Sequence, residues 1–378
     1  MTQSTELVPN VRKIAVLRAN GIGDFIFMLP ALEALRSAYP MASITLLGKS
    51  WHAELLRDRP GPVDGVVVIP PAAGVGEPEN AVENPEELDS FFARMAEERF
   101  DLALQCHGGG RYSNPFIRRL GARITAGLKT DSAAPLSRSF PYVYWQNEIF
   151  RYLEIVKLIG ATPVSIVPRL AVTEADREAS RLVVPDGDRP LVALNPGAGD
   201  PERRWPPEHF AVVGEALAAA GARVVITGAE WDRPFAATMT RHMRENVEDV
   251  TGQLTLGGLV GLLSRCAVVI SNDSGPLHLA RAVGTATIGI YWCFNAINAG
   301  PIETAYHRAM ISWTVSCPVC GINRAHFRCD HHPSFVAEVS ADAVTSVGME
   351  LLEMVRQERA NDHADTGNAC SPSAPINA

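Results

Sequence analysis

The sequence predicts an α/β protein of two doubly wound parallel-sheet domains that face each other across a cleft. Three observations predict it. Short apolar, β-branched runs alternate with helix-period segments, as parallel βαβ units do. That pattern lapses over residues 165–190 and then restarts. The 378 residues exceed what one ordinary hydrophobic core holds and suit two.

The elements follow in order. Lys13 to Arg18 (KIAVLR) is a first strand, too short and too β-branched for a buried helix. The turn Ala19-Asn20-Gly21-Ile22-Gly23-Asp24 leads into a helix with an apolar face through Phe25, Leu29, Leu32 and Leu35. Ile44 to Leu47 and Gly65 to Ile69 read as strands, and residues 71–88 as a Gly/Pro/Glu/Asn-rich surface loop. A helix over Leu88–Glu98 precedes a strand over Asp101–Gln105 and the turn Gly108-Gly109-Gly110. In the second series, strand Leu191–Leu194 ends at Asn195-Pro196-Gly197, and helix Glu208–Ala220 stops at Gly221. Strand Arg223–Thr227, helix Leu256–Arg265, strand Val268–Ser271 and strand Thr287–Tyr291 complete it. The expected domains are 1–175 and 176–337, both Rossmann-like, followed by a helix over 338–360 and a disordered tail over 361–378. Ligands of such sheets bind at the carboxyl ends of the strands, where both cores would face the cleft.

A net charge of −8 argues against general nucleic-acid binding, which needs a basic surface to release counterions. Local basic patches leave contact with an anionic glycan or lipid open. No run approaches the roughly 18 apolar residues of a membrane span, and Met1 to Asn10 carries no signal-peptide core. Seven unevenly spread cysteines, among them Cys266 in an apolar run, fit a reducing compartment better than a secreted disulfide framework. The expected location is the cytoplasm, with peripheral contact at the cytoplasmic face of the inner membrane left open.

Three turns carry chemistry. Gly21-Ile22-Gly23-Asp24 lacks the third glycine of a dinucleotide fingerprint, since Ile26 stands there, and the next strand ends Gly48-Lys49 without an acid. What remains is a carboxylate at the positive end of a helix, either a general base for a hydroxyl or a plain helix cap. Asn195-Pro196-Gly197-Ala198-Gly199, with Arg203 and Arg204 close behind, joins backbone N–H groups to two guanidinium forks and favours phosphate binding over solvated charge. Ser271-Asn272-Asp273-Ser274-Gly275-Pro276-Leu277-His278 is a second anion cradle at a helix start, with the Ser274 hydroxyl in it and His278 one turn along.

Taken together, K-I-A-V-L-R-x-x-G-I-G-D-x4-L-P-A-L, N-P-G-A…R-R-W-P-P-E-H-F, V-T-G-Q-x-[TS]-L and S-N-D-S-G-P-L-H-L-A-x-A-x-G resemble glycosyltransferase family 9 over residues 12 to 295. The resemblance implies the GT-B arrangement and an inverting glycosyltransferase, typically moving heptose from ADP-heptose onto a lipopolysaccharide-core hydroxyl. It implies Asp24 as the base and donor contacts at Gly197, Ala198, Arg203, Arg204, Glu230, Leu254, Asp273, Ser274, Gly275 and His278. Arg203 stands where the family has lysine, and Tyr291-Trp292-Cys293-Phe294-Asn295 replaces its G-P-T, which leaves the transferred sugar open. No catalytic cofactor is expected. A non-catalytic sugar-nucleotide-binding protein, another donor and a protein acceptor are the competing readings.

The acceptor is expected on the N-terminal domain, at Gly23, His107, Gly108, Arg111 and Asn114. The H-G-G-G stretch also resembles an esterase oxyanion loop, but no G-x-S-x-G elbow accompanies it. Arg118, Arg119, Arg123 and Arg138 offer charge for an anionic acceptor or membrane, or simply a solvated face. Cys317, Cys320, Cys329 and His331 have the ligand count of a tetrahedral zinc or iron site, with free or disulfide-linked thiols as the alternative.

Overall fold

A computed structural model describes residues 6–244 and 247–368. The first domain runs β1 Lys13–Leu17, α1 Ile22–Ala38, β2 Ser43–Gly48, α2 Ser50–Leu56, β3 Gly65–Val68, β4 Ala72–Ala73, β5 Gly76–Glu77, α3 Pro85–Glu97, β6 Leu102–Gln105, α4 Ser113–Arg118, β7 Ile124–Lys129, β8 Arg138–Pro141 and α5 Glu148–Lys157. Its main sheet has the order β3-β2-β1-β6-β7-β8, parallel throughout.

The second domain runs α6 Glu174–Val183, β9 Leu191–Asn195, α7 Pro207–Ala219, β10 Arg223–Ile226, α8 Arg233–His242, β11 Glu248–Asp249, α9 Leu256–Arg265, β12 Val268–Asn272, α10 Gly275–Ala282, β13 Ala286–Trp292, α11 Cys293–Ala299, β14 His307–Ser312 and α12 Ala341–Asn368. Its sheet, β11-β10-β9-β12-β13-β14, repeats the arrangement of the first and is also parallel. In both sheets the strand order reverses beside the first strand, at β1/β6 and at β9/β12. Loops leaving those strands diverge there and open a crevice.

The central strands are buried along their length, which is why they read as continuous apolar runs. Helix α1 is buried from Phe25 to Leu32 because it lies between its own sheet, α5 and α10. One apolar cluster therefore joins the domains, running from Ile14 and Phe25 to Leu263, Leu277 and Tyr291. A buried bidentate ion pair adds to this seam. Arg59 donates through Nη1 and Nη2 to the Asp176 carboxylate at 2.6 and 2.9 Å, linking the chain after α2 to α6.

Two expectations need correction. Residues 71–88 hold the two-stranded β4–β5 turn and the first turn of α3, which Asn84 caps by accepting the Glu86 and Glu87 N–H groups. Helix α12 runs through Asn368, past residue 360, since once nucleated a helix adds one hydrogen bond per residue until a breaker arrives. The remaining tail, with Cys370, lies outside the described residues.

Candidate active site

A cleft of about 720 Å³ lies between the carboxyl ends of the two sheets. On its first-domain side, the chain leaves β1 at Arg18 and enters α1 through Gly21, so that Asp24 sits in the first turn of the helix, facing the cleft. Two bonds hold this carboxylate. The Gly21 N–H donates to Oδ2 at 3.1 Å, and Arg18 Nη2 donates to Oδ1 at 2.6 Å. Arg18 is only 3% exposed; its Nη1 donates to the Cys106 carbonyl, and its guanidinium lies over the Tyr152 ring. Burial opposes the charge on Arg18, but Tyr152, Asp24 and Glu148 outweigh it and hold the guanidinium protonated. In the sequence Arg18 stands only as the last residue of the strand motif KIAVLR, with nothing beside it to mark a role.

Across the cleft, β12 delivers Asp273, Ser274 and Gly275 to the start of α10. The Asp273 carboxylate does not point free into the space. Oδ1 pairs with His278 Nε2 at 3.0 Å, and Arg203 Nη1 donates to Oδ2 at 3.1 Å and to the Asp273 carbonyl at 3.2 Å. Burial would raise this carboxyl, yet the His278 hydrogen bond and the Arg203 charge bring it below the ordinary range. Burial also pushes His278 down, against the pull of Asp273. Asp273 thus fixes Arg203 and His278 and leaves the Ser274 hydroxyl and the α10 N-terminus to meet an anion.

The halves touch at this point. A β-carbon on Gly23 would fall 2.6 Å from His278 Cδ2, and the His278 ring meets Phe27 edge to face at 4.5 Å. Asp24 and the Ser274–Gly275 turn therefore line one cleft, together with Gly23, Arg203, Asp273 and His278.

Other expected donor residues lie outside that lining. Gly197 packs against the Asp232 carboxylate and Ala198 is buried. Arg204 turns back to donate through Nε to the Ala198 carbonyl at 2.8 Å, its guanidinium over Phe235. Glu230 is exposed and paired with Arg233; it packs on the Gly252 turn, next to which Leu254 joins the core.

The expected acceptor residues of the β6 turn are also elsewhere. His107 is buried, its Nδ1 accepts the Ala19 N–H at 3.3 Å, and burial followed by the Arg18 charge pushes it down to about 4. Gly108 takes a left-handed turn (φ 63°), and Asn114 donates to the Leu128 and Ala134 carbonyls. Arg111 is exposed, 4.0 Å from Glu79. The reason is local: Gly109 packs against Thr130 and Tyr142, which folds the turn back onto the sheet. Of the four basic residues expected on that domain, Arg119, Arg123 and Arg138 are engaged by Asp89, Asp101 and the Leu158 carbonyl.

The first-domain wall is instead built by Tyr142, Tyr144 and Trp145 of the segment before α5 and by Glu148 at the start of that helix. The opposing wall carries Trp292, Phe294 and Asn298; the Trp145 and Phe294 rings lie 5.2 Å apart, and Asn298 Nδ2 donates to the Tyr144 carbonyl at 2.7 Å. The sequence signal was the run Tyr142-Val143-Tyr144-Trp145 in a segment of otherwise polar character.

Cys317, Cys320, Cys329 and His331 come together, with one ligand atom from each within 4.8 Å of the others. Thiolates bound to tetrahedral zinc at about 2.3 Å sit about 3.8 Å apart, so the donor set fits such an ion. The Cys317–Cys320 turn is closed by the Gly321 N–H donating to the Cys317 carbonyl at 2.8 Å, with Gly321 at φ 74°. Burial would raise the Cys317 thiol, but the N–H groups of Cys320 and Val319 hold it below its ordinary value. Among the described residues, no helix is long and apolar enough to cross a membrane.

The family model for glycosyltransferase family 9 (heptosyltransferase) matches residues 89–318. The chain is 24% identical to the lipooligosaccharide heptosyltransferase 2 of Haemophilus ducreyi over 377 residues, covering 90% of this chain and 99% of the relative. Among solved structures, Escherichia coli ADP-heptose lps heptosyltransferase II superposes with a TM-score of 0.71 at 19% identity, covering 91% of this chain and 99% of that one. The dodecameric iron-containing heptosyltransferase TibC, solved with ADP-D-beta-D-heptose, superposes with a TM-score of 0.54 at 13% identity, covering 93% and 78%.

Proposed function

The chain belongs to glycosyltransferase family 9, and from that premise we propose that it is an inverting transferase moving heptose from ADP-heptose to a hydroxyl of a lipopolysaccharide-core glycan. One observation carries the mechanism. Asp24, held by Arg18 and the Gly21 N–H, lines the same cleft as Arg203, Ser274 and the N-terminus of α10.

Asp24 takes the proton of the acceptor hydroxyl as that oxygen attacks the anomeric carbon. The bond from that carbon to the phosphate oxygen breaks, and ADP leaves from the opposite face, so the configuration inverts. Arg203, the Ser274 hydroxyl and the α10 N–H groups stabilise charge growing on the leaving diphosphate. Arg18 positions the base, and Asp273 positions Arg203 and His278. Glu230 and Leu254, both at the Gly252 turn, are the proposed contacts for the nucleoside. The aromatic wall of Tyr142, Tyr144 and Trp145 suits the apolar face of a sugar ring, which makes it the proposed acceptor side in place of the β6 turn.

Cys317, Cys320, Cys329 and His331 are the proposed ligands of a structural zinc or iron ion, and no step of the transfer passes through it. Names of the relatives support the heptose donor. A thermal-shift panel of ADP, GDP and UDP with their sugars tests it. ADP-heptose should raise the melting temperature most; a preference for UDP or GDP species would refute this donor while leaving the fold intact.

A further inference from the structure

The chain between β14 and α12 makes an excursion that the transfer mechanism does not absorb. Among residues 313–334, Cys317 is the only buried apolar residue, while Trp313, Val319 and Phe327 are well exposed. Its internal order is one isolated bridge, Ser316 to Asn323, and a few turns. A segment with so little apolar core does not hold a shape unaided; a metal site supplies the missing core in small metal-stapled folds.

This excursion is fastened to the donor loops. Trp292 Nε1 donates to the Thr314 carbonyl at 2.8 Å. The Phe335 N–H donates to the Glu202 carbonyl at 2.8 Å, and Ser334 Oγ to the Arg204 carbonyl at 2.6 Å. Arg324 joins the cysteine cluster to the same turn. Its Nη1 lies 3.4 Å from Cys329 Sγ, and its Nη2 lies 2.7 Å from a carboxylate oxygen of the buried Glu202, one residue before Arg203. Between Cys320 and Cys329, residues Arg324, His326, Phe327 and Arg328 line the cleft. Arg324 is already paired, whereas Arg328 is exposed and makes no ion pair among the described residues.

We propose that residues 313–334 are a metal-clipped wall of the donor pocket, in which an ion held by Cys317, Cys320, Cys329 and His331 fixes the loop that presents Arg328 to the diphosphate of the donor. This rests on the donor reading above. The ion acts on binding alone: it sets the loop and, through Arg324 and Glu202, steadies the turn that carries Arg203.

The test uses the full chain, purified without a histidine tag under reducing conditions. Elemental analysis should find near one zinc or iron per chain. In Arg328→Ala, metal content and melting temperature should stay at wild-type values while ADP binds about 10- to 100-fold more weakly, the range for one charge-assisted hydrogen bond to phosphate. In Cys320→Ser, the metal should be lost, protease should cut within 313–334 before the rest of the chain, and ADP affinity should fall at least as far. Adding Arg328→Ala to Cys320→Ser should then change little. Should Cys320→Ser fail to fold, removal of the ion from wild-type protein by a chelator, followed by its return, makes the same comparison. A metal ratio near zero, or ADP binding unchanged by ion removal or by Arg328→Ala, overturns the proposal. Failure of the loaded wild-type protein to bind ADP at all would instead sink the donor reading on which it rests.

Discussion

Replacing Gly23 by alanine tests the contact that brings the two halves of the site together. The new β-carbon would lie 2.6 Å from His278 Cδ2, inside the 3.0 Å that real β-carbons respect. The ring has little freedom to yield, because Nε2 is tied to Asp273 at 3.0 Å and the ring packs against Phe27. Either His278 gives up its buried, charge-assisted hydrogen bond, about 1.5–3 kcal/mol, or α1 backs away from α10 at the usual overpacking cost of about 1–3 kcal/mol. Both routes predict a loss of about 1–3 kcal/mol in urea unfolding. Both also shift Asp24 relative to Ser274, and a misplacement of about 1 Å is worth about 100-fold in rate; turnover should fall at least tenfold. Gly21→Ala is the control, since its β-carbon meets nothing nearer than Asp24 Oδ2 at 3.5 Å and its φ of −76° suits alanine. Wild-type stability and turnover in Gly23→Ala would show that α1 and α10 do not meet as described.

Three further outcomes follow from buried charge. Arg18→Met keeps the apolar stem but strips Asp24 of its cationic partner and leaves it the Gly21 N–H alone; turnover should drop at least tenfold, with stability lowered by about 1–3 kcal/mol as the Cys106 carbonyl loses its donor. Arg59→Ala leaves Asp176 buried without its guanidinium, and equilibrium unfolding should show a loss of about 3–5 kcal/mol; no loss would mean that this pair does not join the domains. Burial lowers His52 to about 3, His107 to about 4 and His307 to about 4. Their unfolded values are near 6.5, so the unfolded chain gains protons first as pH falls. Stability should be greatest above pH 6.5 and decline from there to about pH 3, and a flat profile across that window would contradict their burial.

Much of this architecture was legible because it is local. Val224 to Ile226, Val268 to Ile270 and their counterparts are uninterrupted apolar runs, and the turns that follow β1 and β12 both set glycine and an acid between a strand and a helix, with the Ser274 hydroxyl added in the second. Which loops reach the cleft was not legible, because packing between distant segments decides it. Gly109 folds the β6 turn onto Thr130 and Tyr142, so His107 and Asn114 serve the core while the Tyr142–Glu148 segment takes the wall. Adjacent arginines diverge for the same reason: Arg203 finds Asp273, and Arg204 finds the Ala198 carbonyl. Arg18 looked like the end of a strand until the fold set Asp24 and Tyr152 around it.

The central claim is that Asp24 is the base, and Asp24→Asn tests it most directly. Asparagine keeps the size and the bond from the Gly21 N–H but takes no proton from a hydroxyl. Single-turnover transfer from ADP-heptose, measured beside calorimetric ADP binding on the same folded protein, should show unchanged affinity with a rate lowered by about 100- to 10,000-fold. Transfer at the wild-type rate would remove Asp24 from the chemistry.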